Sequence, residues 1–494
     1  MKSPGPSKCP AGPRRCGLPC PQTCPLPRVR VRAAIAGTTA SGAVRYSGKV
    51  QRGRRHLVFA LAVLGLLAVV AYLPALTQPL LEDDYPNLAK ARLLGAPDQW
   101  RQLAGTVFRL RATSEWLFWV LYRAFGLWAP GYYAVSILLH VLDTWLAYVL
   151  GCSVVALTAR AAGASAPTSR GVAGTSACST FGMAFWAAAF FAIAEGHQEA
   201  VMWFSASNEL LQFLFGVAAM VAWLRFLGGG WKAWYAACLT LFALALISKE
   251  SAPVFAILFA LPMVVPGWRK RARYLVPLAA MAAASVLVTY LTRAGSFRFQ
   301  DGSFSLHAPF WRIWPENFAR VFWVWGLAGL AAALAWGWKR YRAPVLAGLA
   351  WAAAALLPYC FLMYSTRIPS RQTYLASAGV ALVAAAGWSA ARERFAAHGR
   401  ALTAAVCILV LAHNLGYLWI KKRRQFLERA QPTEELIAFA RRSSGPIYVA
   451  CFPRPRIIAE DAVRLAVGEG ATVIWDEVEA SARGVKARFC YRER

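Results

Sequence analysis

Acidic residues are scarce in this chain. Only 23 Asp and Glu stand against 54 Lys and Arg in 494 residues, a formal net charge of +31. Residues 1–56 hold twelve Lys or Arg and no acid, and residues 57–76 hold no charge of either sign. A run of that length crosses a bilayer at 1.5 Å per residue. Similar runs recur as far as residue 420, and 58% of the chain is hydrophobic with a mean hydropathy of +0.42. These features exclude a soluble globular enzyme and indicate an all-α polytopic membrane protein. In a soluble protein so much base would point to nucleic acid. Here Lys and Arg collect in short loops and juxtamembrane stretches, as the positive-inside rule and anionic headgroups favour. No spaced aromatic–basic surface suits base stacking, so membrane lipids are expected as partners and nucleic acid is not.

A disulfide framework is also missing from the reading. Of eleven cysteines, Cys152, Cys178, Cys238, Cys360 and Cys407 fall in or beside apolar helices, where Cys behaves as a small hydrophobe. Cys9, Cys16, Cys20 and Cys24 are spaced as no standard zinc pattern is, in a segment rich in Pro and Arg. Internal repeats and Gly/Pro-broken helices in matching halves are absent too. That weighs against the main rival class, a transporter or flippase of a lipid-linked or anionic substrate.

What is present is a series of about eleven apolar segments: 57–76, 131–157, 178–195, 205–227, 232–248, 252–267, 274–292, 317–338, 343–362, 373–391 and 401–420. Residues 1–56 read as a disordered basic tail kept in the cytoplasm. The basic stretches 269–273, 339–342 and 392–394 then fall on the cytoplasmic side as well. Residues 77–130 form a long first outer loop, with helical spacing over 85–95 and 115–127 that suits helices in the interface plane. The alternative, a short true span at 116–128, would invert everything downstream. Residues 57–420 make up the membrane domain, and 421–494 a small α/β appendage. In the appendage a helix over 433–442 has Pro432 before it and Thr433 as its N-cap. Strands are expected at 447–451 and 472–475, with a helix over 457–467 between them.

Four polar clusters share the outer face under this topology: Glu82-Asp83-Asp84, then 195–199 (EGHQE), then 248–251 (SKES), then 367–374 (RIPSRQTY). Helix ends attract polar residues for bland reasons, so the weight lies in their coincidence. Asp83 and Asp84 suit a general base that takes a proton from an attacking hydroxyl. Solvated acids capping the next helix are the plain alternative. Arg367 and Arg371 suit phosphate, which guanidinium binds bidentately, or equally a lipid headgroup. Lys249 and Glu250 suit either a substrate contact or a structural ion pair with each other. His197 with Glu195 and Glu199 is weak as a metal site at i, i+2 spacing, so no metal ligand is assigned and a divalent ion stays open.

These residues resemble motifs of the polytopic GT-C-type glycosyltransferases, nearest the branch holding the protein O-mannosyltransferases and the transmembrane proteins with tetratricopeptide repeats. LEDDYPNLAKARLLG is similar to the acidic motif of that superfamily's first outer loop, and HQEAVMWFSASNELLQFLF to its His-x-Glu-Ala-Val-x-Trp segment. ALALISKESAPVFAILFALP is similar to its Ser-Lys-Glu motif, the most specific of the four, and RQTYLASAGVALVAAAG to its late arginine–aromatic helix start. The likeness spans residues 57–420. It implies a GT-C-like fold and an inverting single displacement, moving a sugar from a polyprenyl-phosphate donor to a protein, lipid or glycan hydroxyl, with no cofactor. Asp84 or Asp83 would be the base, and Arg371 with Arg367 would stabilise the departing phosphate. His197, Glu199, Lys249, Glu250 and Tyr374 would line the donor or acceptor site. The compartment implied is a bacterial inner membrane, or the endoplasmic reticulum in a eukaryote. The chain departs from the family at Glu195-Gly196, where His-Pro is usual, and at Ala206-Ser207-Asn208-Glu209, where a Gly-Arg-acid stretch is commoner. It also lacks the repeats.

Overall fold

The computed structural model describes residues 39–95, 98, 111–161, 175–293, 304–363 and 369–492. Two units are separable, Met1–His56 and Leu57–Arg494. In the first, residues 39–56 are helical, and the expected tail over 1–38 lies outside the described residues, as do the cysteines in it.

Helix α1 (Thr39–Tyr72) leads through a short 3₁₀ turn and an extended stretch to α2 (Asp84–Leu93) and α3 (Ala112–Phe125). At 14 residues, α3 is too short to span the ~30 Å hydrocarbon core at 1.5 Å per residue. It packs on α2 instead, with Lys90 donating to Glu115 at 2.6 Å. Then follow α4 (Ala129–Ala161), α5 (Thr175–Ile193), α6 (Ser207–Gly229), α7 (Lys232–Leu246), α8 (Leu275–Leu291), α9 (Phe310–Val321), α10 (Trp325–Ala332), α11 (Trp338–Leu356), α12 (Tyr374–Arg394), α13 (Gly399–Gly416) and α14 (Arg423–Arg442). α6 is apolar over most of its length, and 16 of its 23 residues are buried, Trp223 completely.

Among the described residues seven helices are long and apolar enough to cross a membrane: Arg55–Thr77, Ala129–Leu157, Phe204–Gly229, Gly267–Leu291, Trp325–Tyr359, Ser370–Arg394 and Ala396–Arg442. The chain is an integral membrane protein. Three shorter apolar helices, Gly182–Ile193, Lys232–Leu246 and Ala252–Val264, account for the weaker hydropathic segments. The remaining segment, 317–338, is not one rod, because the backbone breaks at Val324 with φ +60.

The run Trp325–Tyr359 is also two arms. Gly326 lies against Val380, Gly329 against Ala384 and Gly337 against Ala390, so α10 runs with α12; Gly348 then meets Gly379 and Val383, so α11 returns against it. A π-helical turn at Ala333–Gly337 makes the bend, beside the basic stretch 339–342. Contact is closest at the glycines. A Cβ on Gly387 would stand 1.9 Å from the Gly329 carbonyl oxygen, and one on Gly379 would stand 2.3 Å from that of Gly348.

The boundary expected at 421 falls inside a helix. α13 passes through a π-helical turn (Tyr417–Lys422) directly into α14, a helical run of 47 residues, Ala396–Arg442. At 1.5 Å per residue that is ~70 Å, more than twice the hydrocarbon core, so α14 carries the chain out of it. Pro432 is buried within α14, and Thr433 is likewise interior to the helix rather than its cap. Beyond it come β1 (Ile447–Cys451), α15 (Arg456–Val467), β2 (Val473–Ile474), α16 (Glu477–Ala482) and β3 (Ala487–Cys490), forming a parallel sheet of order β2-β1-β3. α16 and β3 carry too short a pattern to be read from sequence. Cys451 and Cys490 form a disulfide across β1 and β3, with Cα atoms 4.6 Å apart, where the cysteine pattern gave no pairing.

Candidate functional site

The expected acid cluster is a tight turn. Glu82 adopts φ +36, the left-handed region that side chains rarely occupy, and this turns the chain into α2. The two aspartates part here: Asp83 is exposed at the start of α2, whereas Asp84 has no exposed surface. The Leu81 amide donates to Asp84 Oδ2 (2.8 Å), and the Ser205 amide and hydroxyl both donate to Oδ1 (2.8 and 2.5 Å). Asn87 donates to the same hydroxyl at 3.0 Å. Burial pushes the Asp84 carboxyl up to about 7. The three donors pull it down and the neighbouring Asp83 charge pushes it further up, but desolvation wins.

Segment 199–209 connects this turn to the other clusters. Two residues before Ser205 stands Trp203, with the Arg371 guanidinium 4.8 Å and the Arg429 guanidinium 4.7 Å from its ring centre. Arg371 also lies 3.6 Å from Glu199, whose carboxylate accepts from the Arg371 amide at 3.3 Å. Arg429 donates to Glu82 at 2.6 Å, and Arg454 pairs with Glu82 at 3.1 Å. Tyr85 donates its hydroxyl to Glu434 at 2.9 Å. Arg429, Arg454 and Ser205 thus join the site without being singled out in the sequence, and Trp203, the last residue of the His-x-Glu-Ala-Val-x-Trp segment, joins it too. Arg429 and Arg454 lie more than 340 residues from Glu82, and no local pattern marks them.

Lys249 and Glu250 do not pair with each other. Buried Lys249 pairs with Glu209 and donates to the Tyr359 hydroxyl at 3.1 Å, while Glu250 takes a bidentate pair from Arg111 at 3.0 and 2.7 Å. Burial pulls the Lys249 ammonium down to about 8, against the opposing charges of Glu209 and Glu250. Ser251 completes the knot through Gln212 and Tyr359, each at 3.0 Å.

His197 and Tyr374 point inward rather than toward the acid turn. The His197 ring is fully buried, bonds the Ser377 hydroxyl at 2.6 Å and packs at a tilt against Phe191 and Tyr374. Burial holds its pKa well below the usual imidazole value, so it is neutral. The Tyr374 hydroxyl meets His140 at 2.7 Å and Asp143 at 2.9 Å, two α4 residues that the hydropathy of that helix concealed. Arg367 lies outside the described residues. Among the described residues no three His, Cys, Asp or Glu side chains are grouped to hold a metal.

The site therefore offers an exposed carboxylate beside a buried one, and a guanidinium-flanked indole on the neighbouring segment. Apolar cavities of about 310 and 140 Å³ lie within the bundle, apart from the acid turn. A hollow of about 520 Å³, lined by Trp419, Ile420 and Leu427 together with Arg423, Arg424 and Glu434, adjoins it through the Tyr85–Glu434 bond.

No family model matches the chain, and no curated protein matches it. Among solved structures it is similar to the crystal structure of ArnT from Cupriavidus metallidurans bound to undecaprenyl phosphate. The identity is 13% and the TM-score 0.44, over 87% of this chain and 89% of that one.

Proposed function

We propose that the protein is a membrane glycosyltransferase that moves a sugar from a polyprenyl-phosphate donor to an acceptor hydroxyl. The observation that carries this reading is the convergence of the acid turn, Trp203 and Arg371 at one place. Asp84 binds Ser205, and two residues away Trp203 is flanked by Arg371 and Arg429. The motif resemblance to GT-C-type enzymes supports it from the sequence side.

In the proposed reaction Asp83 takes the proton of the acceptor hydroxyl as that oxygen attacks the anomeric carbon. The bond from carbon to phosphate oxygen breaks, and the phosphate leaves with the electron pair, its charge met by Arg371 and, as the resemblance implies, Arg367. The configuration inverts. Exposure favours Asp83 over Asp84 for this role, since both Asp84 oxygens are already engaged and no acceptor reaches them. Asp84 then serves as the anchor that ties the turn to Ser205. Lys249, Glu209, Glu250 and Arg111 form a charge-balanced wall behind the site, and His197 and Tyr374 support it from within. The donor's isoprenoid tail stays in lipid while its headgroup reaches the helix ends.

The test is sugar transfer from a panel of radiolabelled polyprenyl-phosphate sugars by the purified protein in nanodiscs. Asp83→Asn is expected to lower turnover by about 10²–10⁴-fold with an unchanged thermal transition, the usual span for loss of a general base. Transfer by Asp83→Asn at the wild-type rate would refute the assignment.

A further inference from the structure

The C-terminal α/β unit does more than end the chain. Its sheet order, β2-β1-β3, reverses at β1, and the crevice at the carboxyl end of such a strand is where open α/β sheets take ligands. The loop there, Phe452-Pro453-Arg454, follows directly on Cys451, which the disulfide fixes to β3. Arg454 reaches Glu82 from this loop at 3.1 Å, and Arg429 of α14 reaches it at 2.6 Å. Two further contacts bind the same unit to α2: Tyr85 to Glu434 at 2.9 Å and Arg92 to Glu469 at 2.7 Å. The residue so held has a strained backbone, Glu82 at φ +36, immediately before Asp83. A non-glycine residue keeps such a conformation only where its surroundings over-determine it.

From this we infer that Arg454 and Arg429 are positioning residues: they clamp the Glu82 carboxylate, hold the acid turn in its left-handed form, and so set where Asp83 stands. The inference rests on Asp83 having the role proposed above, but the clamp can be tested without it. The experiment is hydrogen–deuterium exchange of the full-length protein in nanodiscs. It compares the wild type with Arg454→Gln, the double variant Arg429→Gln/Arg454→Gln, Arg454→Lys, and Glu82→Gly. The double variant is expected to raise exchange over residues 81–88 by about tenfold or more while α6 and α12 keep their protection. Arg454→Lys keeps the charge and should retain most of the protection. Glu82→Gly accepts the left-handed backbone but offers no carboxylate, so it should loosen the turn as the double variant does.

Unchanged exchange in the double variant would overturn the inference, as would loosening by Arg454→Lys equal to that by Arg454→Gln. Global loss of protection in the double variant leaves the decision to Arg454→Lys and Glu82→Gly. With a donor in hand, Arg454→Gln, which leaves Arg429 beside Trp203, should lower kcat by about tenfold or more with donor KM within about threefold, because the acid is misplaced rather than the donor site lost. A loosened turn in a protein that transfers no sugar would support the clamp and reject the transferase reading.

Discussion

Asp83 and Asp84 are adjacent residues of the same type, yet one meets solvent and the other has none. The difference comes from a partner more than a hundred residues away, because Ser205 contributes two of the three donors that bind Asp84. The sequence marks the pair as unusual but not which member is buried, since that depends on a contact between the first loop and the start of α6. The same reason explains Lys249: the sequence places Glu250 next to it, whereas the fold supplies Glu209 from across the helix pair. The buried Asp84 has a consequence for pH. Its carboxyl titrates near 7 in the folded protein and near 3.8 when unfolded, so the folded state holds the extra proton between these values. Its contribution to stability is complete below the unfolded value, falls as pH rises, and is gone above about 7; the full span is at most roughly 4 kcal/mol. Asp84→Asn cannot titrate. The wild type should therefore lose thermal stability relative to Asp84→Asn as pH rises from 5 to about 7.5, followed by thermal unfolding in nanodiscs. A constant difference across that range would show that Asp84 does not titrate there.

At the level of helices the hydropathy pattern was informative where a segment was both long and apolar. Segments 57–76, 131–157, 205–227 and 373–391 each match a membrane-length helix to within a few residues. It was least informative where backbone geometry rather than composition decides the outcome. Val324 and the π-helical turn at Ala333–Gly337 break and bend a stretch that is apolar throughout. Pro432 is passed through by a helix that the usual breaker rule would start after it. The glycines of α10, α11 and α12 read as ordinary small residues until the packing shows what they allow. At Gly387 the backbones of α10 and α12 touch so closely that no side chain fits. Gly387→Leu should destabilise the protein by about 1–3 kcal/mol or more, the usual cost of overpacking. Gly399→Ala, where the nearest atom is 4.0 Å away, should be close to neutral. Equal thermal shifts for the two variants would contradict the close approach of α10 and α12.

On the scale of the whole molecule, the outer loop and the C-terminal unit are on one side of the membrane, because Glu82, Tyr85 and Arg92 each bond residues of α14 or the segments beyond it. Disulfides such as Cys451–Cys490 persist in oxidising compartments. The sequence motifs pointed to the acid turn, the 195–199 stretch, Lys249 and Arg371 as parts of one site. They could not reveal that Arg429 and Arg454 reach Glu82 in the same turn, since these arginines belong to no pattern and meet it only through the tertiary fold. The central claim is that this site receives a polyprenyl phosphate through Arg371 beside Trp203. Native mass spectrometry of the nanodisc-purified protein with undecaprenyl phosphate and with uncharged undecaprenol tests it without knowledge of the sugar. The account predicts that the phosphate binds more tightly than the alcohol, and that Arg371→Gln reduces this preference by about tenfold or more, as expected for loss of a charged hydrogen bond. Equal binding of the two lipids, or a preference unchanged in Arg371→Gln, would contradict it.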